Sequence, residues 1–442
     1  MKNLILLSMI FCMMIISCDK DDNNGNDNEQ YRLKYATVKG AELGFSQFNM
    51  SRAESDDVSA FVTVDKYGNK KPVRFINERG DTVDMGTYAM YKAGENHLLL
   101  GGYYTITASD NYPIRFRYLI VDKNTETLWG LPLGDYPDYD TGIKVDAMIL
   151  TDKKGNVYFV SEYGGQLFKI NVENKSNYTL EELNVGQTAK WFQVSDNGLC
   201  LYQDRVTNEP VDDVKLRFPN GSFKNLRMII PDQSTYDYSK AIVFDGKIHV
   251  INEITRSGFG DGIIDFYRLD EKGDNDVEAV KIASTPFVDG MYYNNQYQIN
   301  PVNGKVMFGT RKDFREIDLR TGVTDIYNVV LPELVTNISM RWDLRSINAW
   351  MTSDALFCFE SDVLYRLDMN THELKTLDVM SCGFEIKEEN ITASTSTGVL
   401  NFTGLQYSTG NYVIGEISDN MQIIVYPFAT GNMMISSLVR LN

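Results

Sequence analysis

The chain has 442 residues, with 60 Asp plus Glu against 43 Lys plus Arg and a formal net charge of −17. That length holds one large domain or two to three ordinary ones, and 43% apolar with 23% charged residues is a globular composition that excludes wholesale disorder. The acidity argues against nucleic acid as a partner, because phosphate binding needs a basic footprint. Tyr 26 and Phe 22 beside His 3 favour β structure.

Residues 1–17 read as a signal peptide, with Lys2, an apolar run over residues 4–16, and Ser17 before Cys18. The run is too short to span a bilayer as a stable helix. Ile15-Ile16-Ser17-Cys18 resembles a lipobox, in which the cysteine becomes the acylated first residue, so Cys18 is the expected lipidation site. Cys18-Asp19-Lys20-Asp21-Asp22 resembles the acidic export signal of Bacteroidetes lipoproteins, which implies display on the outside of the outer membrane. Residues 18–30 are expected to be the acylated cysteine and a flexible acidic tether, since 23–29 are rich in Asn, Asp and Gly. The expectation is a surface-exposed protein anchored by lipid rather than spanning the membrane. Cys200, Cys358 and Cys382 are widely spaced and form no C-x-x-C, so neither a disulfide framework nor a zinc site is expected. Cys200 and Cys358 sit inside apolar strand patterns and read as buried thiols.

From Tyr31 onward one hairpin signature recurs: an aromatic or aliphatic strand, then Asp or Asn, then a Gly or Thr turn. Its polar residue falls at Asn77, Asp122, Asn171, Asn220, Asp270, Asp318 and Asp368, and a degenerate last copy runs from Ile424 to Gly431. The step is about 50 residues until that last copy. A second marker opens an alternating strand upstream of most of these: Asp152-Lys-Lys-Gly155, Asp196-Asn-Gly198, Asp245-Gly246, Asn303-Gly304 and Ser353-Asp354. Each unit therefore holds about four short strands, and no segment sustains the 3.6-residue period of a helix. The pattern predicts an all-β fold, a β-propeller over residues 31–442, with eight four-stranded blades. The count falls to seven if the irregular first unit only completes another blade. An array of β-sandwiches is the other architecture, and it would not need so even a spacing.

In a propeller the turns between strands 1–2 and 3–4 lie on one face, and the 2–3 loops with the inter-blade connections lie on the other. The second set is longer and richer in aromatics: Tyr136, Tyr139, Trp191, Tyr236, Tyr238, Tyr292, Tyr293 and Trp342. Arg205, Arg256 and Arg311 recur in three successive 2–3 loops, with Arg341 on the same rim. Flat aromatics suit sugars, macrocycles or catecholates, and guanidinium groups suit an anionic ligand. The same residues are equally the kind that pack or pair between blades. No cofactor is expected. A Ca²⁺ reading of residues 135–140 or 270–276 lacks the spacing of an EF-hand loop, and the second stretch reads more simply as a solvated hairpin. His97, His249 and His372 are far apart in sequence, no G-x-S-x-G elbow is present, and no catalytic residue is assigned.

The Cys18 segment and the blade pattern together resemble the propeller lipoproteins of Bacteroidetes. That resemblance implies capture of a glycan, corrinoid or ferric siderophore-like chelate beside a TonB-dependent transporter. An adhesive or structural protein that binds another protein is the alternative, and a glycan-active enzyme with a carboxylate pair is the third. Replacing Cys18 by Ala is predicted to move the protein from the membrane fraction to the soluble one. Retention in the membrane pellet would overturn the lipobox.

Overall fold

The computed structural model describes residues 32–35, 43–49, 60–64, 67, 69–72, 75–76, 82–83, 89–107, 113–123, 127–132, 149–160, 166–175, 178–183, 189–204, 213–230, 240–255, 262–287, 298–299, 303–309, 314–327, 349–352, 354–360, 362–386, 391–393, 398–427 and 433–440. Among them the chain is nearly all strand, in eight antiparallel sheets, with a single short 3-10 turn at Leu226–Met228. No described helix is long and apolar enough to cross a membrane.

Five consecutive sheets have four strands each, added in chain order. The third sheet runs Ile149–Thr151, Val157–Val160, Leu167–Asn171, Thr179–Glu182, and the fourth Ala189–Val194, Cys200–Asp204, Asp213–Arg217, Phe223–Asn225. The fifth runs Lys240–Phe244, Lys247–Thr255, Gly262–Gly273, Asp276–Phe287. The sixth is Gln298–Ile299, Lys305–Gly309, Phe314–Asp318, Thr324–Tyr327, and the seventh Ala349–Met351, Ala355–Glu360, Val363–Asp368, Leu374–Asp378. In the eighth, Phe384–Ile386 and Thr392–Ala393 share one edge of Leu400–Gln406, followed by Asn411–Ile417 and Ile423–Val425.

Strands far apart in sequence meet in the first sheet. Its order is Met433–Arg440, Leu43–Asn49, Ala60–Val64, Lys70–Pro72, so the last strand of the protein supplies the first position. That last strand also lies against Ala89–Ala93 of the second sheet and against the long strands of the eighth. The second sheet, Ala89–Ala93, His97–Thr107, Pro113–Asp122, Thr127–Pro132, carries Arg32–Tyr35, Phe75–Ile76 and Thr82–Val83 on its outer edge.

Side chains alternate across each strand, and both faces find a neighbouring sheet. Val157 and Phe159 join Leu99 and Ile120 of the second sheet, whereas Tyr158 turns the other way to Phe192, Cys200 and Tyr202 of the fourth. Further cores join the fourth to the fifth, the fifth to the sixth, the sixth to the seventh and the seventh to the eighth. A strand buried on both faces must be apolar throughout, which is why Ala355-Leu-Phe-Cys-Phe359 is buried without a break. Each fully buried large side chain such as Phe357 or Phe266 contributes roughly 1.5–3 kcal/mol. Cys200 and Cys358 are in these cores, and burial pushes both thiols up to about 12. Cys382 is exposed.

The recurrent Asp or Asn of the sequence is an Asx-turn former. Asp318 Oδ1 accepts the N–H groups of Arg320 at 2.7 Å and Thr321 at 3.1 Å, and Asp368 Oδ1 accepts those of Asn370 and Thr371 at 2.9 Å each. Both turns close with a residue at positive φ, Gly322 at 75° and His372 at 59°. Burial pushes the Asp368 carboxyl up, but the N–H groups of Thr371 and Asn370 and the Arg366 guanidinium outweigh it and hold it down to about 2.

Three hairpins differ from the sequence reading. Asn77 lies outside the described residues, but Phe75–Ile76 of the same signature is an edge addition on the second sheet, and the first sheet's own hairpin joins Ala60–Val64 to Lys70–Pro72. Asp270 lies within a long strand whose turn comes at residues 274–275. Ile423–Val425 is a fourth strand reached through a turn over residues 418–422, so the last hairpin precedes position 424 and the even spacing is restored.

The turns between first and second strands touch the next sheet, and glycine permits the approach. Gly246 has φ of 70°, and a Cβ there would come within 2.3 Å of the Asp196 carboxylate. Gly410 has φ of 69° and open space around it. Gly410→Ala is predicted to cost about 1 kcal/mol of unfolding free energy from backbone strain alone, and Gly246→Ala about twice that or more. Urea denaturation of the two variants checks the order; equal losses would remove the steric account.

Candidate functional site

The described residues bring together a site on the face of the short turns. The ends of four successive first strands bound a cavity of about 680 Å³, a usual size for a small-molecule site. Its apolar wall is Ala93, Ile149, Leu150, Val194 and Val243, one or two residues from each of the second to fifth sheets. Its rim is polar: Lys92 from the end of the strand Ala89–Ala93, and Glu95, Asp152, Lys153, Lys154 and Asp196 from the turns that follow the first strands.

Those turns are fixed by backbone bonds from sheet to sheet. Lys153 N–H donates to Asp196 O at 3.0 Å, and Asp196 N–H donates to Gly246 O at 2.8 Å. Within a sheet, Lys123 N–H donates to Asn96 O at 2.8 Å, which ties the 3–4 turn to the 1–2 turn on the same face. Asp152 is the pivot of the third sheet's turn. Its Oδ1 accepts the N–H groups of Lys154 at 2.9 Å and Asn156 at 3.0 Å, while Oδ2 accepts Asn156 Nδ2 at 2.9 Å and the Tyr158 hydroxyl at 3.0 Å. Burial, with the neighbouring Cys200 and Asp152, pushes the Tyr158 hydroxyl far above its ordinary value, so it stays a donor. Asn156 Nδ2 and Lys154 Nζ reach Glu173 at 3.3 and 3.2 Å and hold its carboxyl below the ordinary range.

His97 stands in the cavity wall, buried, with Nε2 3.3 Å from the Tyr178 hydroxyl and the two rings edge-on at 5.9 Å. It pairs across the ladder with Asp122. Burial lowers the His97 pKa despite the Asp122 charge, and Lys123 and Lys175 push the same way. Tyr178 is pushed up to about 12 by burial, with Asp122 adding charge and a hydrogen bond. A neutral histidine beside a protonated tyrosine forms a polar seam between two sheets. Among the described residues no three His, Cys, Asp or Glu side chains gather as a metal site.

Most of the residues expected to bind ligand, and the expected lipidation site, are not described. Cys18, Tyr136, Tyr139, Arg205, Tyr236, Tyr238, Arg256, Tyr292, Tyr293, Arg311, Arg341 and Trp342 lie outside the described residues. Trp191 is in the strand Ala189–Val194, where the pairing shifts register between Ala189 and Phe192. In sequence, Arg205, Arg256 and Arg311 follow the second strands of the fourth, fifth and sixth sheets, as the repeat required. Of the two acidic stretches, 135–140 is outside the described residues. In the other, Asp270 is bound by Arg268 at 2.7 Å and Lys247 at 2.7 Å, and these partners hold its carboxyl far below the ordinary range. The cavity was missed because its rim residues sit in short turns that looked merely structural. The signal was there: Asp152-Lys-Lys-Gly155, Asp196 and Asp245 recur at one step, so turns at equivalent positions share one opening.

No family model matches the chain and no curated protein matches it. Among solved structures it is similar to a puromycin hydrolase mutant, at 11% identity and a TM-score of 0.46, covering 78% of this chain and 54% of that one. The chain thus spans about half the length of that hydrolase. It is also similar to a quinonprotein alcohol dehydrogenase-like protein from Bacteroides thetaiotaomicron, at 10% identity and a TM-score of 0.40, covering 93% and 94%. Hsv2 of Kluyveromyces lactis is similar at 10% identity and a TM-score of 0.41, covering 80% and 99%.

Buried neutral histidines make stability depend on pH. The folded pKa of His97 lies below its unfolded value of 6.5, and burial lowers that of His249 to about 4. The unfolded chain therefore takes up protons first, and stability that is full above pH 6.5 is lost as pH falls toward the folded values. Urea denaturation is predicted to give a lower unfolding free energy at pH 5 than at pH 7, and His97→Gln and His249→Gln each to shrink the difference. An unchanged difference in both variants would refute the assignment.

Proposed function

We propose that the eight sheets are the blades of a closed β-propeller, and that the protein is a lipid-anchored outer-membrane surface protein that captures a small ligand for a TonB-dependent transporter. The propeller reading is supported by the run of inter-sheet cores from the second sheet to the eighth, and by the C-terminal strand standing between those two sheets. The anchor and the address rest on the Cys18 segment.

The observation that carries ligand capture is the cavity of about 680 Å³, with an apolar wall from four sheets and a charged rim. Pockets of this shape, apolar with a few fixed polar groups, suit a small molecule better than a flat protein partner. Among the described residues the exposed large apolar side chains, such as Tyr67, Met228, Val323 and Met380, belong to different sheets and turns, which gives a protein partner less to hold there. The aromatic and arginine positions of the opposite face, from Tyr136 to Trp342, are kept as a second contact surface.

A thermal-shift screen against glycans, corrinoids, haem, ferric siderophores and Ca²⁺ tests the proposal. A ligand at 100 times its dissociation constant adds about 2.7 kcal/mol to the folded state. A shift abolished by Val243→Trp is expected for capture in the cavity. A shift abolished only by Arg256→Ala or Trp342→Ala moves the site to the loop face, and a flat response across the panel favours the protein-binding reading.

A further inference from the structure

Resting on the reading that the cavity captures a ligand, we propose that it takes a small organic anion, a carboxylate or phosphate ester with an apolar or hydroxylated body, held by the ammonium groups of Lys153 and Lys92. The body would lie against Ala93, Ile149, Val194 and Val243, and the charged end would lie at the rim.

The rim carries as many acids as lysines, yet the acids already have work inside the protein. Both oxygens of Asp152 are filled by four donors. Glu173, just outside the rim, is bound to Lys154 and Asn156. The Asp196 side chain packs over Gly246, where even a Cβ would collide with it. Glu95 acts on Lys123, whose charge it favours.

Among the described residues the Lys153 ammonium makes no ion pair, although its backbone N–H is bound to Asp196 O, which fixes the residue at the rim. Lys92 lies near enough to Lys123 that, after burial, it is the next cause lowering the latter's pKa. Lys123 and Lys175 act in the same sense on His97. Lys92 and Lys153 thus line one opening of a chain whose formal net charge is −17, and at Lys153 an incoming anion would meet an ammonium that pairs with no carboxylate among the described residues. The apolar wall favours an organic anion over a bare inorganic one, because only a body with carbon surface gains from burial there.

Isothermal titration of the purified protein with matched probes tests this: glucuronate against glucose, benzoate against benzyl alcohol, and phenyl phosphate against inorganic phosphate. At least one organic anion is expected to bind ten times or more tighter than its matched partner, with affinity falling as salt rises. Lys153→Glu and Lys92→Glu should each weaken it at least tenfold, while Lys272→Glu, at a hairpin tip of the fifth sheet, should leave it unchanged. A neutral probe that binds as well as its anion, and is blocked by Val243→Trp but indifferent to Lys153→Glu, overturns the anion and leaves capture standing. Binding by no probe at all, with the ligand screen also flat, overturns both. Tighter binding of inorganic phosphate than of phenyl phosphate overturns the organic part and leaves a plain anion site.

Discussion

Everything in this molecule depends on how closely consecutive sheets approach at the turns between their first and second strands. Backbone hydrogen bonds run there from turn to turn, Lys153 to Asp196 and Asp196 to Gly246. Such a bond contributes only about 1 kcal/mol net, so its importance lies in geometry. Two backbones can meet only where no side chain intervenes, and Gly246, Gly304 and Gly94 are the residues whose Cβ would strike Asp196, Phe244 and Thr151 of an adjoining sheet. The apolar faces between sheets supply most of the free energy without direction. The turns supply direction, and the cavity is bounded by strand ends that they hold in place.

Polar groups buried between sheets add specificity that the apolar faces lack. Glu316 is buried, and its carboxylate meets Lys305 Nζ at 2.7 Å, the Tyr327 hydroxyl at 3.3 Å and His372 Nε2 at 3.5 Å. The first three groups belong to the sixth sheet and the histidine to the seventh, where its ring stacks on Tyr327 at 3.7 Å. A carboxylate in that position costs solvation that its partners must return. Because only the correct neighbour presents His372, the contact favours this order of sheets over others that the similar apolar strands would tolerate. Arg320, whose guanidinium lies 4.6 Å over the Phe244 ring and 3.5 Å from Asp245, does the same between the sixth and fifth sheets.

Much of the architecture was legible because its signals are local. An Asx turn needs an Asp or Asn two or three residues before the N–H groups it accepts, so Asp318 and Asp368 announce their hairpins from sequence alone. The failures came where the deciding contact is distant. Phe75 and Ile76 sit in the same hairpin signature as a blade, and only pairing with Arg32–Tyr35 makes their strand an edge addition. The last hairpin was misplaced because Met421, at φ of 60°, fills a turn position where glycine was the expected sign. The cavity was illegible for a related reason: Lys92, Lys153 and Asp196 line one opening only because the strand ends and turns of three sheets converge.

The entry of the chain bears on which face looks outward. Arg32 pairs with Trp129 and Lys34 with Thr127, so the strand Arg32–Tyr35 runs toward the end of the sheet where Lys123 N–H meets Asn96 O. That is the face of the short turns and of the cavity, and Arg32 therefore stands at the end of its strand nearer the opposite face. With the lipid of the proposed anchor upstream, the membrane and a transporter in it would lie toward the 2–3 loops, and the cavity would open to the surroundings. A capture protein needs that polarity: one end must accept ligand from solution while the other stays at the membrane. The repeat suits it, since turns between first and second strands from successive sheets gather at one end and bound the cavity there.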